Sequence, residues 1–254
     1  MANASNGHFV WYENLTTDPK AAIAFYTEVV GWKTQPFEGS DYMMWVGSQG
    51  PLGGVFKLPE EAAKMGAPPH WTGNVQVGDV DATAALAKKL GGKVYKEPSD
   101  IPTVGRFAVI ADPQGASISV FKPASAMALH EPKEGEVCWR ELLTSDSEAA
   151  FKFYAEIFGW KQLSEMDMGP MGKYRIFGVG EQQLGGMMSL PPGAPMPPSW
   201  LYYIETNDLE AATKRATSKG AKVLNGPMDV PGGRITQLTD SQGAAFALHQ
   251  AAKK

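Results

Sequence analysis

Apolar and polar positions along this chain follow one short order that recurs four times. His8–Leu15 is rich in aromatic and aliphatic residues and predicts a strand. Asp18-Pro19 follows: the aspartate suits a helix N-cap and the proline its first turn. Ala21, Ala22, Phe25, Tyr26, Val29 and Val30 then recur at helical spacing, and Gly31 ends the helix with a left-handed residue. Three short strands are expected near 32–37, 41–47 and 51–57, punctuated by Gly39, Gly50 and Gly53-Gly54. Residues 59–69 read as a proline-containing connection. The order returns as a strand at 71–77, a helix from Asp79 to Leu90, and strands near 93–96, 106–111 and 116–121. Lys122–Gly135 reads as a linker, with a short helical turn at Ala126–His130 left open. Beyond it the pattern predicts helices at 146–158 and 208–219. Strands are expected from Glu136, near 160–166, 173–179, 184–189 and 200–206, then near 221–224, 234–239 and 244–249.

The two halves also repeat residue for residue. Residues 11–33 and 139–161 are identical at 13 of 23 positions, at a constant offset of 139 − 11 = 128. Two such copies in one chain must fold alike, so a site in one can be checked against the other. The expected architecture is α+β: two tandem domains, 8–122 and 135–250, joined by a linker at 123–134. Each domain pairs two β-α-β-β-β units side by side into an open, incomplete barrel, with helices outside and a concave inner face. Pairing of consecutive units, or of unit one with unit four across the linker, both fit the pattern.

Composition narrows the function. Net charge is −4 with no Lys/Arg-rich run, which argues against nucleic acid or an anionic membrane as partner. No stretch reaches the ~18 apolar residues of a membrane span, and no cleaved signal is read at the N-terminus, so a cytoplasmic protein is expected. The single cysteine, Cys138, excludes disulfides within the chain and multi-cysteine zinc sites, and reads as a small apolar core residue in a strand. The four histidines, His8, His70, His130 and His249, form no metal-ligand spacing.

Paired β-α-β-β-β units carrying Asp18…Phe25-Tyr26…Gly31-Trp32 and Asp112-Pro-Gln-Gly115 resemble the vicinal oxygen chelate superfamily of glyoxalase I, bleomycin-resistance proteins and extradiol dioxygenases. Trp-Tyr-Glu…Thr-Thr-Asp and Pro-His-Trp in a two-domain chain look most like its tandem glyoxalase-like subgroup, to which a secreted mycobacterial antigen belongs. The resemblance implies a divalent metal held by His, Gln and Glu on inner strands. One ligand is expected seven residues before the helix-capping aspartate, and a glutamate four residues after the glycine of Asp-Pro-x-Gly. Those places hold Trp11, Thr72 and Ser119 in the first half and Trp139, Leu201 and Ala247 in the second. None is a fitting ligand for a first-row metal, so no metal and no other cofactor is expected at these places, with a divalent metal kept as the alternative.

Strand alternation puts Glu13 beside Trp11 and Glu141 beside Trp139 on the inner face. Two readings stand. The pair recognises a flat or apolar ligand and its donor group, or the indole plugs the space of a lost metal while the carboxylate bonds a neighbour. The remaining inward series are Thr72, Asn74 and Gln76 with Ser117, Ser119 and Phe121, against Leu201, Tyr203 and Glu205 with Ala245, Ala247 and His249. Only the second half offers an acid-base group, Glu205 with His249. Three functions follow. The first is a monomeric pseudo-dimer that binds a small aromatic or apolar molecule, as drug-sequestering members of the superfamily do. The second is a glyoxalase-type lyase, isomerase or oxygenase-related enzyme, using a rebuilt metal site or acid-base chemistry by Glu13, Glu141, Glu205 and His249. The third is an interaction or antigen role with an inactive pocket.

Overall fold

Four aspartates start the four long helices and four glycines follow their ends. In this computed structural model, which describes residues 5–191, 193–194 and 196–252, α1 spans Pro19–Val29 and its N-cap Asp18 accepts from the backbone N–H of Lys20 and Ala21. A five-residue helix, α2 (Glu60–Lys64), occupies the segment read as a plain connection. Two glutamates in its first turn and Lys64 in its last complement the helix dipole. Helix α3 (Val80–Lys89) is capped by Asp79, α4 (Ser147–Phe158) by Asp146 and α5 (Leu209–Ser218) by Asp208. Gly31, Gly91, Gly159 and Gly220, just past these ends, all have φ between 71° and 92°, where a side chain would strain the backbone. Ala126–His130 forms no helix.

The strands of the first half are β1 (Phe9–Thr16), β2 (Lys33–Pro36), β3 (Met43–Gly47), β4 (Gly50–Lys57), β5 (His70–Gln76), β6 (Lys93–Ile101), β7 (Gly105–Ala111) and β8 (Ser117–Pro123). They form one sheet in the order β2-β3-β4-β1-β5-β8-β7-β6. The second half repeats it. Strands β9 (Val137–Thr144), β10 (Lys161–Asp167), β11 (Lys173–Val179), β12 (Gln182–Ser189), β13 (Ser199–Glu205), β14 (Lys222–Val230), β15 (Gly233–Thr239) and β16 (Ala245–Ala251) run in the order β10-β11-β12-β9-β13-β16-β15-β14. Both sheets are open. Strands β6 and β14 run longer than the pattern predicts, because Pro98 and Pro227 sit where the pairing register shifts rather than ending the strand. Consecutive units therefore share a sheet.

The chain folds as two compact units that cut across the repeat. One gathers the segment ending at Val10 with Gly73–His130 and Trp139–Trp200; the other gathers Trp11–Thr72, Glu131–Cys138 and the segment from Leu201 onward. Each has its own aromatic core. In the second unit Tyr26 lies within 6 Å of Trp32, Trp45, Trp71 and Phe246. In the first, Tyr154 lies equally close to Phe158, Trp160 and Trp200, and Trp160 stacks on Phe9 and Phe177. These rings are almost fully buried, and pairs of this geometry add about 0.5–1.5 kcal/mol beyond their burial. The tyrosine hydroxyls are tied down too. Tyr26 accepts from Trp71 Nε1 at 2.8 Å and donates to Asp240 Oδ2 at 3.0 Å.

Candidate functional site

Of the seven tryptophans, five lie in those cores. The other two, Trp11 on β1 and Trp139 on β9, keep partial exposure. Each belongs to a relay that the sequence shows only in part. In the first half Trp11 Nε1 donates to Tyr42 Oη at 2.7 Å, and Tyr42 donates to Glu13 Oε1 at 3.1 Å. In the second, Trp139 Nε1 donates to Tyr174 Oη at 2.8 Å, and Tyr174 donates to Glu141 Oε1 at 2.9 Å. The structure thus joins each predicted Trp–Glu pair through a tyrosine.

Two features hold the tyrosines in place. Each lies over a strand glycine: a methyl group on Gly54 would fall 2.0 Å from Tyr42 Oη, and one on Gly186 would fall 2.1 Å from Tyr174 Cζ. The second glycine of the recurring Leu-Gly-Gly at 52–54 and 184–186 makes this room, while the first, Gly53 or Gly185, lets the carbonyl of Tyr12 or Arg140 on the neighbouring strand come close. Each hydroxyl also stays protonated. Burial, then the adjacent carboxylate, pushes both phenols well above their ordinary range, against the indole N–H that works the other way. A protonated phenol must donate, and it donates to the glutamate. The consequence for recognition is specific. Each indole N–H is spent inside the protein, so the ring offers its apolar face.

On the other strands the structure brings Glu205 and His249 to Cys138 rather than to its strand neighbour Trp139, so the inner set expected in the second half does not share one face. Asn74 and Ser119 are register partners, as are Tyr203 and Ala247. Ser119 Oγ donates to Ala108 O, and Gln237 Nε2 donates to Tyr203 Oη at 2.7 Å. Thr72, Asn74, Gln76, Leu201 and Tyr203 are buried. Glu205 and His249 are also register partners, and His249 Nδ1 lies 2.6 Å from Glu205 Oε2. Burial alone would raise the Glu205 carboxyl, but His249, the Ala251 backbone N–H and the Cys138 thiol hold it below its usual range. Cys138 corrects the reading of a core strand residue. It is partly exposed, and its thiol lies 3.4 Å from Tyr203 O. The other histidines serve elsewhere: His8 Nε2 meets Gln182 Oε1, and His70 Nδ1 donates to Pro68 O.

Two shallow hollows contain none of the relay side chains. One, about 330 Å³, is lined by Ser145, Leu190, Pro191 and Met196 among others. The other, about 470 Å³, is lined by residues including Glu210, Asp229, Arg234 and Gln250. Of the proline-rich stretch Pro191–Pro198, Pro192 and Pro195 lie outside the described residues. The methionine-rich second half divides between packing and surface: Met187 is fully buried, whereas Met171 and Met196 are exposed.

Residues 138–248 match the family model described as the glyoxalase/bleomycin resistance protein/dioxygenase superfamily, and residues 12–121 match a glyoxalase-like domain. The chain is 32% identical over 244 residues to a Mycobacterium bovis protein named "Putative glyoxylase CFP32", covering 94% of this chain and 92% of that protein. It is 28% identical over 265 residues to the anthracycline biosynthesis protein DnrV of Streptomyces peucetius, covering 98% and 94%. Among solved structures, the Mn(II)-bound glyoxalase of Novosphingobium aromaticivorans superposes with a TM-score of 0.65 at 15% identity, over 97% of this chain and 82% of that one.

Proposed function

This chain belongs to the glyoxalase/bleomycin resistance protein/dioxygenase superfamily, and we propose that it binds a small aromatic or apolar molecule against the faces of Trp11 and Trp139 without a metal at the superfamily's usual positions. The observation that carries the reading is the Trp–Tyr–Glu relay, built twice with the same bonds. It presents a rigid indole face next to a carboxylate, suited to a flat ligand that carries a donor group or positive charge. The relative named for anthracycline biosynthesis adds support, since an anthracycline is a flat polycyclic aromatic.

The residues at the superfamily's metal-ligand positions do not fit an ion. An indole N–H that donates to a tyrosine has no lone pair to offer, and Leu201 and Ala247 have no donor atom. Thr72 and Ser119 bring only neutral hydroxyls, and Ser119 gives its proton to a carbonyl. One chain carries both copies, so the protein acts as its own pseudo-dimer.

The test is a titration with small planar aromatics, read by tryptophan fluorescence. Saturable quenching is expected to persist after chelator treatment and to weaken in Trp11→Leu and Trp139→Leu. Quenching abolished by the chelator, or untouched by both substitutions, overturns the reading. A second reading, an acid-base lyase or isomerase, is favoured by the 2.6 Å contact of His249 with Glu205. It requires turnover that disappears in His249→Gln.

A further inference from the structure

The strands β9, β13 and β16 bring together three side chains of different chemistry that the relay does not use. Cys138 Sγ, a carboxylate oxygen of Glu205 and a ring nitrogen of His249 all lie within 4.8 Å of one another. We propose that Cys138, Glu205 and His249 form a binding site for one transition-metal ion of the zinc type, away from the positions at which the superfamily holds its metal.

Three arguments carry it. The first is the donor set. One thiolate, one imidazole and one carboxylate match zinc's preference for mixed sulfur, nitrogen and oxygen ligands, and three protein ligands leave a fourth tetrahedral position for water. A hard ion such as Mg²⁺ would not choose a thiolate. The second is organisation before the ion arrives. Glu205 and His249 are register partners on parallel strands. The second carboxylate oxygen, Glu205 Oε1, accepts from the Ala251 backbone N–H at 3.0 Å, which fixes the plane of the group. Gly233 on β15 leaves space beside the Gln250 carbonyl and the imidazole: a methyl group there would fall 2.2 Å from Gln250 O and 2.8 Å from His249 Nε2. The Glu205 and His249 side chains keep 18% and 20% exposure, enough for an ion to enter from solvent.

The third argument is the repeat. The first half has the same frame: Gln76 and Phe121 are register partners on β5 and β8, as Glu205 and His249 are on β13 and β16. Val10 stands where the second half has Cys138, at the constant offset of 138 − 10 = 128. The thiol and the imidazole are therefore both missing from the first copy, which has Val10 and Phe121 in their places and a neutral glutamine, Gln76, where the second has Glu205. Structural need of the fold does not explain the trio, because the fold forms without it.

The binding step balances simply. The thiol enters protonated, so Cys–SH plus M²⁺ gives Cys–S⁻–M²⁺ plus one proton released to solvent, and the metal takes the place of the hydrogen bonds that now join the three groups.

Co(II) and Zn(II), added to purified metal-free protein, test the proposal. One equivalent of Co(II) is expected to give tetrahedral visible bands and a thiolate-to-cobalt charge-transfer band. One equivalent of Zn(II) is expected to bleach both and to shield Cys138 from alkylation. Cys138→Ser and Cys138→Val should lose the charge-transfer band and weaken binding by roughly 100-fold or more, since loss of an outer partner alone costs 10–100-fold. His249→Phe places in the second half the residue of the first, and should weaken binding similarly. Quenching by planar aromatics is read in the same samples, so failure of one reading is separable from failure of the other. If wild-type protein takes up no stoichiometric metal, or takes it up without the thiolate band, or if the cysteine variants bind as wild type does, the proposal is wrong. The conservative Cys138→Ser variant keeps the volume of the side chain, so the test survives if His249→Phe does not fold.

Discussion

Replacing Gly54 by alanine should release Tyr42 from Trp11 and Glu13 without touching any of the three. The added methyl would sit 2.0 Å from Tyr42 Oη, 2.1 Å from Cζ and 2.6 Å from Cε1, so the phenol must swing away by more than an ångström. Its bonds of 2.7 Å and 3.1 Å cannot survive that movement. A neutral hydrogen bond contributes about 0.5–1.5 kcal/mol and one to a charged group about 1.5–3 kcal/mol, so the relay represents about 2–4 kcal/mol. Against this, alanine in a strand reduces the freedom of the unfolded chain and returns about 0.4–1 kcal/mol. The net expectation is a loss of roughly 1–3 kcal/mol, measured by guanidinium denaturation. A double-mutant cycle sharpens it. In a Tyr42→Ala background the clash is gone, so Gly54→Ala should become neutral or stabilising. If Gly54→Ala costs the same with and without the tyrosine ring, or costs nothing in the wild type, the relay is not held as described. Gly186→Ala tested with Tyr174→Ala gives an independent repeat in the other half.

Other expectations follow from the same structure. Burial raises the Asp240 carboxyl, against the bonds it accepts from Gln242, Ala244 and Tyr26. A carboxyl with a raised folded pKa favours the fold below the unfolded value of about 3.9, and that contribution is lost as pH rises through the folded value. The stability of wild type relative to Asp240→Asn should therefore fall with rising pH across that window, and a difference that rises with pH would refute the assignment. Asp146→Ala removes an oxygen that accepts from Glu148 and Ala149 and should cost about 1 kcal/mol by chemical denaturation. Trp160→Ala empties the centre of one aromatic core and should cost about 3–5 kcal/mol; a loss under 1 kcal/mol would show that the ring is not packed as found.

The helices, their caps and most strands were legible in the sequence because their signals are local. Asp18, Asp79, Asp146 and Asp208 act on backbone N–H groups two or three residues away. Half of each relay was legible too, since strand alternation alone pairs Trp11 with Glu13. Tyr42 and Tyr174 were not, because they reach those residues from 29 to 35 positions away, across a register set by the sheet. One signal could have found them: in each half a tyrosine precedes the second glycine of Leu-Gly-Gly by 54 − 42 = 12 residues, a spacing repeated at 174 and 186. Cys138 was misjudged for a related reason. A lone cysteine in a strand looks apolar until the neighbouring strands show that it faces a carboxylate and an imidazole.

The aromatic core around Tyr26 contains Phe246 from the far end of the chain, and the one around Tyr154 contains Phe9 from its beginning. A polypeptide cut in the linker would thus leave neither fragment with a finished interior. Two severed pieces, mixed, should recover structure that each lacks alone.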